Sequence, residues 1–299
     1  MTPDWIAVDW GTSNLRAWAM GADGGVLAEA TSPKGMGGLA RDEFEPALAE
    51  LIADWDLRES TLVMACGMVG SRQGWVEAAY RQVPCTPVSD NVTRAAATDP
   101  RLDVRVLPGL SQLSPAPDVM RGEETQIAGF QAMNPDFDGV LCLPGSHTKW
   151  VQVSAGEVVS FQTAMTGEIF AALGAHTVLR HSMADDWDAA TFLEAVSDGM
   201  SRPEALAARA FGLRAEGLLT PDSARSARSR LSGLLVGAEL AAARPYWLGM
   251  PVALIGAPKL TAHYAEALRA QGVSPILTQG DAATLAGLRA ARKKLEPSL

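Results

Sequence analysis

The first side chains that could do chemistry stand together near the N-terminus, around Asp9. An apolar run ends in this carboxylate, and the polar turn Gly11-Thr12-Ser13-Asn14 follows before the next apolar run begins. Backbone N–H groups and small hydroxyls in such a turn can bind phosphate oxygens, and a nearby carboxylate can hold the Mg²⁺ that bridges them. We interpret the segment as a phosphate-binding turn. The alternative is an ordinary β-hairpin with a polar tip.

A second polar turn of the same kind lies in the middle of the chain. Residues 140–151 again read as an apolar run, a turn with glycine and small polar side chains, and an apolar run; the turn is Gly145-Ser146-His147-Thr148-Lys149. Leu143 takes the place that Asp9 has in the first copy, so the second turn keeps the hydroxyls and lacks the acid. That is expected if only one copy holds a metal. The repeat predicts two halves of related structure.

Another candidate binding loop follows a predicted strand at residues 62–66. Residues 67–75 contain a hydroxyl, a guanidinium and an amide in a row, on Ser71, Arg72 and Gln73. In open α/β sheets, ligands bind beyond the carboxyl ends of the strands. We therefore favour substrate binding over a surface loop with an incidental arginine.

The glycine-rich stretch at residues 32–39 is harder to interpret. It carries one cation, Lys34, followed by Gly35. A substrate-side loop and a simple connector explain this stretch equally well.

Hydrophobic periodicity predicts the elements that would position these side chains. Strands are predicted at residues 6–8, 15–20, 25–30, 62–66, 104–107, 156–163, 251–255 and 274–277. Helices are predicted at residues 44–55, 124–133, 168–178, 189–200, 203–211 and 223–243, with one more ending at residue 271 and a terminal one opening at residue 280. Residues 81–103 are rich in turn formers and give no clear pattern. Strands and helices alternate as in an α/β protein, and residues 134–136 are the best boundary between two domains.

Composition and charge exclude several functional classes. The chain has 299 residues, 47% of them hydrophobic, and a formal net charge of −9, which argues against nucleic acid or an anionic membrane as a partner. The three cysteines form no C-x-x-C pair, so neither a disulfide framework nor a zinc site is indicated. No secretion signal or convincing transmembrane run is present. We expect a cytoplasmic enzyme with a small-molecule partner.

The motifs together resemble a known kinase family. Asp9, Gly11, Thr12, Ser13 and Arg16 match the first phosphate motif, D-x-G-T-[ST]-x-x-[RK], of the sugar-kinase/Hsp70/actin superfamily. Four further segments resemble the 2-dehydro-3-deoxygalactonokinase family, and the resemblance covers nearly the whole chain; they are residues 67–75, 118–126, 143–151 and 165–170.

This resemblance implies a fold and an activity. The fold would be α/β, with two RNase H-like lobes and an ATP cleft between them: residues 1–135 for the metal and the sugar acid, and residues 136–299 for the nucleotide. The terminal helix would pack back on the first lobe. The implied reaction is phosphorylation of the C6 hydroxyl of 2-dehydro-3-deoxy-D-galactonate by ATP with Mg²⁺, a step of galactonate breakdown.

The resemblance also implies the general base. Glu123 and Glu124 stand at the start of a helix, where sugar kinases of the superfamily place a catalytic aspartate. Here the acid is glutamate and is doubled, so the identity of the base stays open between the two. We prefer Glu124, because the Thr-Gln pair after it matches the polar pair after the family base. Acids in a first helical turn can also be simple partners of the helix dipole.

The remaining roles follow from the same resemblance. Asp9 would hold Mg²⁺ through water. ATP phosphates would be bound by Gly11, Thr12, Ser13, Asn14, Arg16, Gly145, Ser146, His147, Thr148 and Lys149. Adenosine would be bound by Gly256, Ala257, Lys259 and Gly233. The sugar acid would be bound by Arg72, Ser71, Gln73, Lys34, Gly35 and Arg121.

Two arginines compete for the carboxylate of the sugar acid. Arg72 is preferred, because its planar guanidinium would match a carboxylate on a loop just past a strand. Arg121 stands beside Glu123 and Glu124, which suits an ion pair that orients the base.

Two other functions stay open. One is a kinase of the same fold acting on another sugar or keto-deoxy sugar acid, such as 2-dehydro-3-deoxygluconate. The other is a non-catalytic, ATP-dependent sensor, against which the acids at positions 123 and 124 argue. Ser146 and Lys149, with Ser89-Asp90-Asn91, match two boxes of penicillin-binding proteins, but the order is reversed and the Lys-Thr-Gly box is missing. A homodimer is compatible with all these readings.

Overall fold

Strands form wherever apolar, often β-branched runs are bounded by turn residues. The computed structural model describes residues 1–183, 186–220 and 226–295. Its strands are β1 (Trp5–Trp10), β2 (Leu15–Met20), β3 (Val26–Ser32), β4 (Thr61–Gly67), β5 (Tyr80–Gln82), β6 (Thr93–Arg94), β7 (Leu102–Val106), β8 (Gly109–Gln112), β9 (Asp118–Met120), β10 (Gly139–Leu143), β11 (Thr148–Ser154), β12 (Glu157–Ala164), β13 (Val252–Gly256) and β14 (Ile276–Gln279).

Helices fill the connections between these strands. They are α1 (Phe44–Leu51), α2 (Glu123–Met133), α3 (Thr166–His176), α4 (Ala189–Ser201), α5 (Leu206–Leu219), α6 (Ala227–Ala242), α7 (Arg244–Trp247), α8 (Pro258–Arg269) and α9 (Gly280–Leu295). No described helix is long and apolar enough to cross a membrane.

The two large sheets share one strand order. The first runs β3-β2-β1-β4-β7-β6, and the second runs β12-β11-β10-β13-β14. In both, an antiparallel hairpin at the polar turn is extended by a parallel strand on the other side: β1 pairs with β2 and β4, and β10 pairs with β11 and β13. The strand order therefore shows the duplication that the two turns predicted. A third sheet of three short strands has the order β5-β8-β9.

Chain contacts divide the molecule into two units. The first contains Met1–Phe137, Ser154–Ser160 and the described part of Gly280–Leu299, and the second contains Asp138–Val153 and Phe161–Gln279. The predicted α/β class with two sheet-containing lobes is confirmed. Relative to the predicted division into 1–135 and 136–299, the first unit also takes in the hairpin around residue 157 and the terminal helix.

Strand alternation decides which side of the first sheet carries polar chemistry. Ile6 and Val8 face one core, which includes α1. Trp5 and Ala7 face the opposite core, which includes residues of α2 and α9. Side chains alternate between the faces of a strand, so Asp9 lies on the side of α2 and α9.

Helices α2 and α9 cross with their backbones in contact. A Cβ on Gly129 would lie 1.8 Å from the Ala283 carbonyl oxygen, and one on Gly287 would lie 1.8 Å from that of Thr125. Only glycine allows this approach. Gly129 meets Ala283 while Gly287 meets Thr125, so the two helices cross in opposite directions.

Most predicted elements are present, with ends that differ by one to three residues. Three predicted helices are the exceptions. The helix predicted at 44–55 ends at Leu51, although Trp55 is still buried. The helix predicted at 203–211 begins at Leu206, after a 3-10 turn, and continues to Leu219. The start of the helix predicted at 223–243 lies outside the described residues, and α6 begins at Ala227.

Candidate active site

Asp9 lies at the carboxyl end of β1, beside the ends of its two neighbours. It is opposite Arg16 on β2 and Cys66 on β4, and the Cys66 thiol is 3.9 Å from Asp9 Oδ1. The next residue, Gly67, has φ +92°, and a Cβ there would lie 2.7 Å from the Trp10 carbonyl oxygen. Glycine is therefore required at the end of β4 for the chain to turn past the carboxylate.

The N-terminus of α2 reaches the same place. Gly122, with φ +105°, precedes the helix, and a Cβ on it would lie 3.3 Å from the Cα of Gly67. The Glu123 carboxylate accepts a hydrogen bond from the Arg121 backbone N–H at 3.0 Å. The Glu124 carboxylate accepts one from the Gly122 N–H at 2.7 Å and one from the Thr125 hydroxyl at 3.2 Å. Both acids thus turn back toward the residues before the helix.

These two acids differ in exposure. Glu124 is only 1% exposed, and burial, reinforced by the charge of Glu123, raises its pKa to about 8. Glu124 is therefore protonated at neutral pH. Glu123 is half-buried, so its carboxylate can be reached from solvent.

Burial also raises the pKa of Asp9, to about 6. Arg16 opposes this effect, whereas the negative charges of Asp281 and Glu123 add to it. Asp9 is thus mostly ionised at neutral pH, and three acids from β1, α2 and α9 act on one another at one end of the sheet.

Arg16 has a partner that the sequence analysis did not assign. Its Nη1 atom is 2.6 Å from Asp281 Oδ2, at the start of α9, and its Nε atom is 3.6 Å from Glu29. Arg16 was predicted to bind phosphate; here its guanidinium faces two carboxylates. The sequence signal for Asp281 was its position at the opening of the terminal helix.

The first polar turn is supported from behind by the glycine-rich loop. The Gly11 N–H donates to the Asn14 carbonyl, while Met36 and Gly37 donate to the carbonyls of Gly11 and Thr12. Thr12, Ser13 and Asn14 remain exposed, as a phosphate-binding turn requires.

Gly35 and Lys34, both predicted to contact the sugar acid, have different surroundings. A Cβ on Gly35 would lie 2.3–2.5 Å from backbone atoms of the polar turn, so this glycine is needed for packing and the geometry does not support its predicted contact. Lys34 is exposed and forms an ion pair with Glu50. Its contact with the sugar acid stays a prediction.

The loop after β4 separates the two competing arginines. Arg72 is exposed, with its side chain 80% accessible and 3.5 Å from Glu77. Gln73 is exposed as well, while Ser71 is buried and its hydroxyl has no hydrogen-bond partner among the described residues. Arg72 and Gln73 can therefore meet a ligand, and Ser71 cannot in this arrangement.

Arg121 is buried and braces the loop. Its Nη2 atom donates to the Ala78 carbonyl at 2.7 Å, and its guanidinium lies over the Tyr80 ring at 4.3 Å. A Cβ on Gly70 would lie 2.8 Å from Nη1, so the loop covers this side of the cation. The backbone N–H of Arg121 hydrogen-bonds Glu123, and the charge of its guanidinium opposes the rise in the pKa of Glu124; the ion pair with the base stays a prediction.

The polar turn of the second unit points only partly outward. Ser146 and His147 are exposed, but Thr148 and Lys149 are buried. The Thr148 hydroxyl is 3.0 Å from the Tyr264 hydroxyl, and the Lys149 ammonium donates to the Thr163 hydroxyl at 2.8 Å. The two side chains lie on opposite faces of β11, and each is buried against a different neighbour, so the geometry does not support their predicted contact with phosphate.

The N-terminus of α3 packs directly on this turn. The Glu168 N–H donates to the Ser146 carbonyl at 2.9 Å, and a Cβ on Gly167 would lie 2.3 Å from the Gly145 carbonyl oxygen. His147 Nε2 is 2.5 Å from Glu168 Oε2. The motif at residues 165–170 therefore supports the shape of the second turn.

A cavity of about 310 Å³ opens beside this turn, within the second unit. Its lining includes Gly145, Phe170, Arg228, Ala257, Lys259 and His263. The His263 ring lies 3.9 Å from the Trp187 ring, centroid to centroid. Phe170 belongs to the motif at residues 165–170, whereas no sequence motif marked Trp187, Arg228 or His263.

Gly256 and Gly233, the two glycines predicted to contact adenosine, have different surroundings. Gly256 ends β13, where a Cβ would lie 3.3 Å from the Pro144 carbonyl oxygen, next to Ala257 in the cavity wall. Gly233 faces away from the cavity: a Cβ there would lie 2.3 Å from the Phe192 carbonyl oxygen of α4. Gly233 thus permits close packing of α4 and α6.

No group of three or more His, Cys, Asp or Glu side chains in the described residues is placed to hold a metal. Mg²⁺ usually binds to one or two carboxylates and completes its shell with water and substrate phosphates. One ionised carboxylate beside an exposed polar turn fits that mode of binding. Asp9 is that carboxylate.

Comparison with known proteins gives one consistent result. The family model described as 2-keto-3-deoxy-galactonokinase matches residues 9–291. The chain is 39% identical, over 98% of both chains, to the Rhizobium meliloti (strain 1021) protein named probable 2-dehydro-3-deoxygalactonokinase DgoK1. It is 35% identical, over 97% of both chains, to the 2-dehydro-3-deoxygalactonokinase of Escherichia coli (strain K12). A crystal structure from Sinorhizobium meliloti, of a protein given the same enzyme name, superposes with a TM-score of 0.91 at 39% identity, covering 98% of this chain and 99% of that one.

Proposed function

The chain belongs to the 2-keto-3-deoxy-galactonokinase family, and we propose that it transfers the terminal phosphoryl group of ATP to the C6 hydroxyl of 2-dehydro-3-deoxy-D-galactonate. The products are ADP and the 6-phosphate, in the breakdown of galactonate. One structural observation carries the proposal: an ionised Asp9 beside an exposed polar turn shares its end of the sheet with a second, reachable acid, Glu123. Phosphoryl transfer to a hydroxyl needs both, one acid for the metal and one for the proton.

Asp9 would hold Mg²⁺, directly or through water, next to the turn Gly11-Thr12-Ser13-Asn14. The ion would neutralise negative charge on the phosphates. The exposed hydroxyls of Thr12 and Ser13 and the backbone N–H groups of the turn would orient the phosphate oxygens.

Glu123 is the better candidate for the general base. A base must be ionised when the hydroxyl arrives and must be reachable by that hydroxyl. Glu124 meets neither condition, since it is 1% exposed and its pKa is raised to about 8. The half-buried Glu123 can be reached by the hydroxyl, and Glu124 then fixes the backbone at Gly122 through its hydrogen bond.

Arg72 is proposed to bind the carboxylate of the sugar acid. Its guanidinium is exposed and stands on the loop that begins at Gly67, beside Asp9. Its paired acid, Glu77, would have to give way, which an exposed ion pair allows because such pairs contribute little free energy. Arg121 is not assigned this role, because its side chain is buried. Its Nε and Nη1 atoms, which have no hydrogen-bond partner among the described residues, are covered by the protein.

The second unit is proposed to bind the nucleotide. Its cavity combines apolar rings with the cations Arg228 and Lys259, a lining suited to a purine base and its phosphates. Ser146, His147 and the backbone at Gly145 are the parts of the second turn that remain available. A cytoplasmic location and a homodimer stay predictions.

A substrate panel tests this proposal. The protein is supplied with ATP and Mg²⁺, and ADP release is followed with 2-dehydro-3-deoxygalactonate, with its C4 epimer 2-dehydro-3-deoxygluconate, and with neutral sugars. We expect the highest kcat/KM for the galactonate-derived acid. A higher kcat/KM for the epimer or for a neutral sugar would identify that compound as the better substrate and contradict the proposed one. No turnover with any acceptor would favour an ATP-dependent sensor.

A further inference from the structure

A carboxylate that no sequence motif marked is buried near the C-terminal end of α6. Glu239 is 5% exposed, and burial raises its pKa. An acid in this setting is destabilising unless several donors satisfy it. A hydrophobic residue would pack at this position without that penalty, so the acid calls for an explanation.

Three donors from three different elements converge on this carboxylate. The Trp150 indole N–H, from β11, donates to Oε1 at 2.8 Å. The Tyr264 hydroxyl, from α8, donates to Oε2 at 2.9 Å, and the Thr166 hydroxyl at the start of α3 donates to the same oxygen. The Tyr264 hydroxyl is in turn 3.0 Å from that of Thr148, which ends the second polar turn.

These hydrogen bonds connect α6 with elements that form the wall of the cavity. Thr166 and Tyr264 line its wall. Gly167, the next residue after Thr166, packs against the Gly145 carbonyl. Glu239 is therefore connected through Thr166 to one side of the second turn, and through Tyr264 and Thr148 to the other side, while it does not line the cavity itself.

We propose that Glu239 is a positioning residue that holds the second polar turn and the N-terminus of α3 in the arrangement that binds the phosphates of ATP. The inference rests on the proposed function, because it takes the second unit as the nucleotide site. The Glu239 carboxylate accepts from all three donors at once, which holds both walls of the turn in one geometry.

The three donors respond differently to two substitutions of Glu239. A glutamine at this position can accept from Trp150 with its carbonyl oxygen. Its NH₂ group can then donate to the Thr166 and Tyr264 hydroxyls, which can reverse their direction. Glu239→Gln should thus keep the arrangement, whereas Glu239→Ala removes the acceptor from all three donors.

The experiment measures the dissociation constants of ATP and of adenosine for each variant by calorimetric titration, without the sugar acid. For Glu239→Ala we expect the value for ATP to rise roughly tenfold or more, as for lost hydrogen bonds to a charged group, and the value for adenosine to stay within about threefold. Glu239→Gln should bind ATP within about threefold of the wild type. Thr166→Val, which keeps the side-chain shape, gives the same test if Glu239→Ala does not fold.

Leu240→Ala is the matched control, since Leu240 is the next residue of α6, is fully buried in an apolar core and does not line the cavity. It should lower the melting temperature and leave both dissociation constants unchanged. The positioning role would be overturned if Glu239→Ala and Thr166→Val raised the dissociation constants of ATP and adenosine equally. It would also be overturned if both variants bound ATP as tightly as the wild type. A wild-type protein that does not bind ATP would instead refute the proposed function.

Discussion

Replacing Glu124 with glutamine tests the electrostatics of the site without changing its shape. In the native state both oxygens of Glu124 already have partners, the Gly122 N–H and the Thr125 hydroxyl. A glutamine can accept from the first with its carbonyl and donate to the second with its amide. The substitution therefore mimics the protonated acid, which is the form that burial favours.

The expected effect on stability follows from the pKa of Glu124. Burial raises that pKa from an ordinary 4.5 to about 8, and each pKa unit corresponds to about 1.4 kcal/mol. Because the native state holds the proton more tightly than the unfolded chain, this contribution to stability is full below pH 4.5. It is lost as the pH rises to about 8. Ionising Glu124 thus destabilises the native state by up to about 5 kcal/mol relative to low pH.

The assay is urea denaturation of the wild type and of Glu124→Gln at about pH 5.5, 6.5 and 7.5. Subtracting the two free energies of unfolding at each pH removes the contributions of the titrating groups that both proteins share. We expect the variant to gain about 1.4 kcal/mol over the wild type for each pH unit in this range. A difference that stays constant with pH would refute the raised pKa, and with it the reason for preferring Glu123 as the base. Turnover of the variant should remain close to that of the wild type.

Three further substitutions test other parts of the account. Asp9→Asn should abolish phosphoryl transfer at every Mg²⁺ concentration while leaving the circular dichroism spectrum unchanged; near-normal turnover at saturating Mg²⁺ would end the metal assignment. Arg72→Ala should raise the KM for the keto acid roughly tenfold and leave that for ATP almost unchanged, and a rise for ATP instead would place Arg72 at the phosphates. Gly287→Ala should destabilise the protein by about 1–3 kcal/mol in urea, because its Cβ would strike the Thr125 backbone. Its control is Gly212→Ala, also inside a helix but with open space around the new Cβ, which should be neutral or stabilising.

The sequence was sufficient for the features that depend on residue type and spacing. The apolar run before Asp9 and the polar turn after it predicted β1 and the hairpin. The repeat around Gly145 predicted two halves of related structure, and the two large sheets share one strand order. These predictions succeed because burial of alternating side chains determines both the strand and its register.

Other features depend on contacts between distant segments, and the sequence could not show them. Thr148 and Lys149 have the residue types of a phosphate site, yet both are buried, on opposite faces of β11, against Tyr264 and Thr163. Gly35 and Gly233 resemble glycines that admit a ligand, but each admits a neighbouring backbone instead. Short strands such as β5 and β6 have too few residues to show a period.

The two acids at the start of α2 illustrate the same limit. Sequence comparison favoured Glu124 by the residues that follow it. The structure distinguishes them by burial, since one helical residue of difference turns Glu124 into the core and leaves Glu123 half-buried. A property of the fold, rather than the motif, therefore decides which acid can act as a base.

The central claim is that this chain is a sugar-acid kinase whose proton acceptor is Glu123. The most direct measurement is ADP release with 2-dehydro-3-deoxygalactonate, ATP and Mg²⁺, for the wild type and for Glu123→Gln. We predict steady turnover by the wild type and a kcat about 10²–10⁴-fold lower in the variant, with ATP binding unchanged. Wild-type turnover that persists undiminished in Glu123→Gln, or no turnover by the wild type, would contradict the claim.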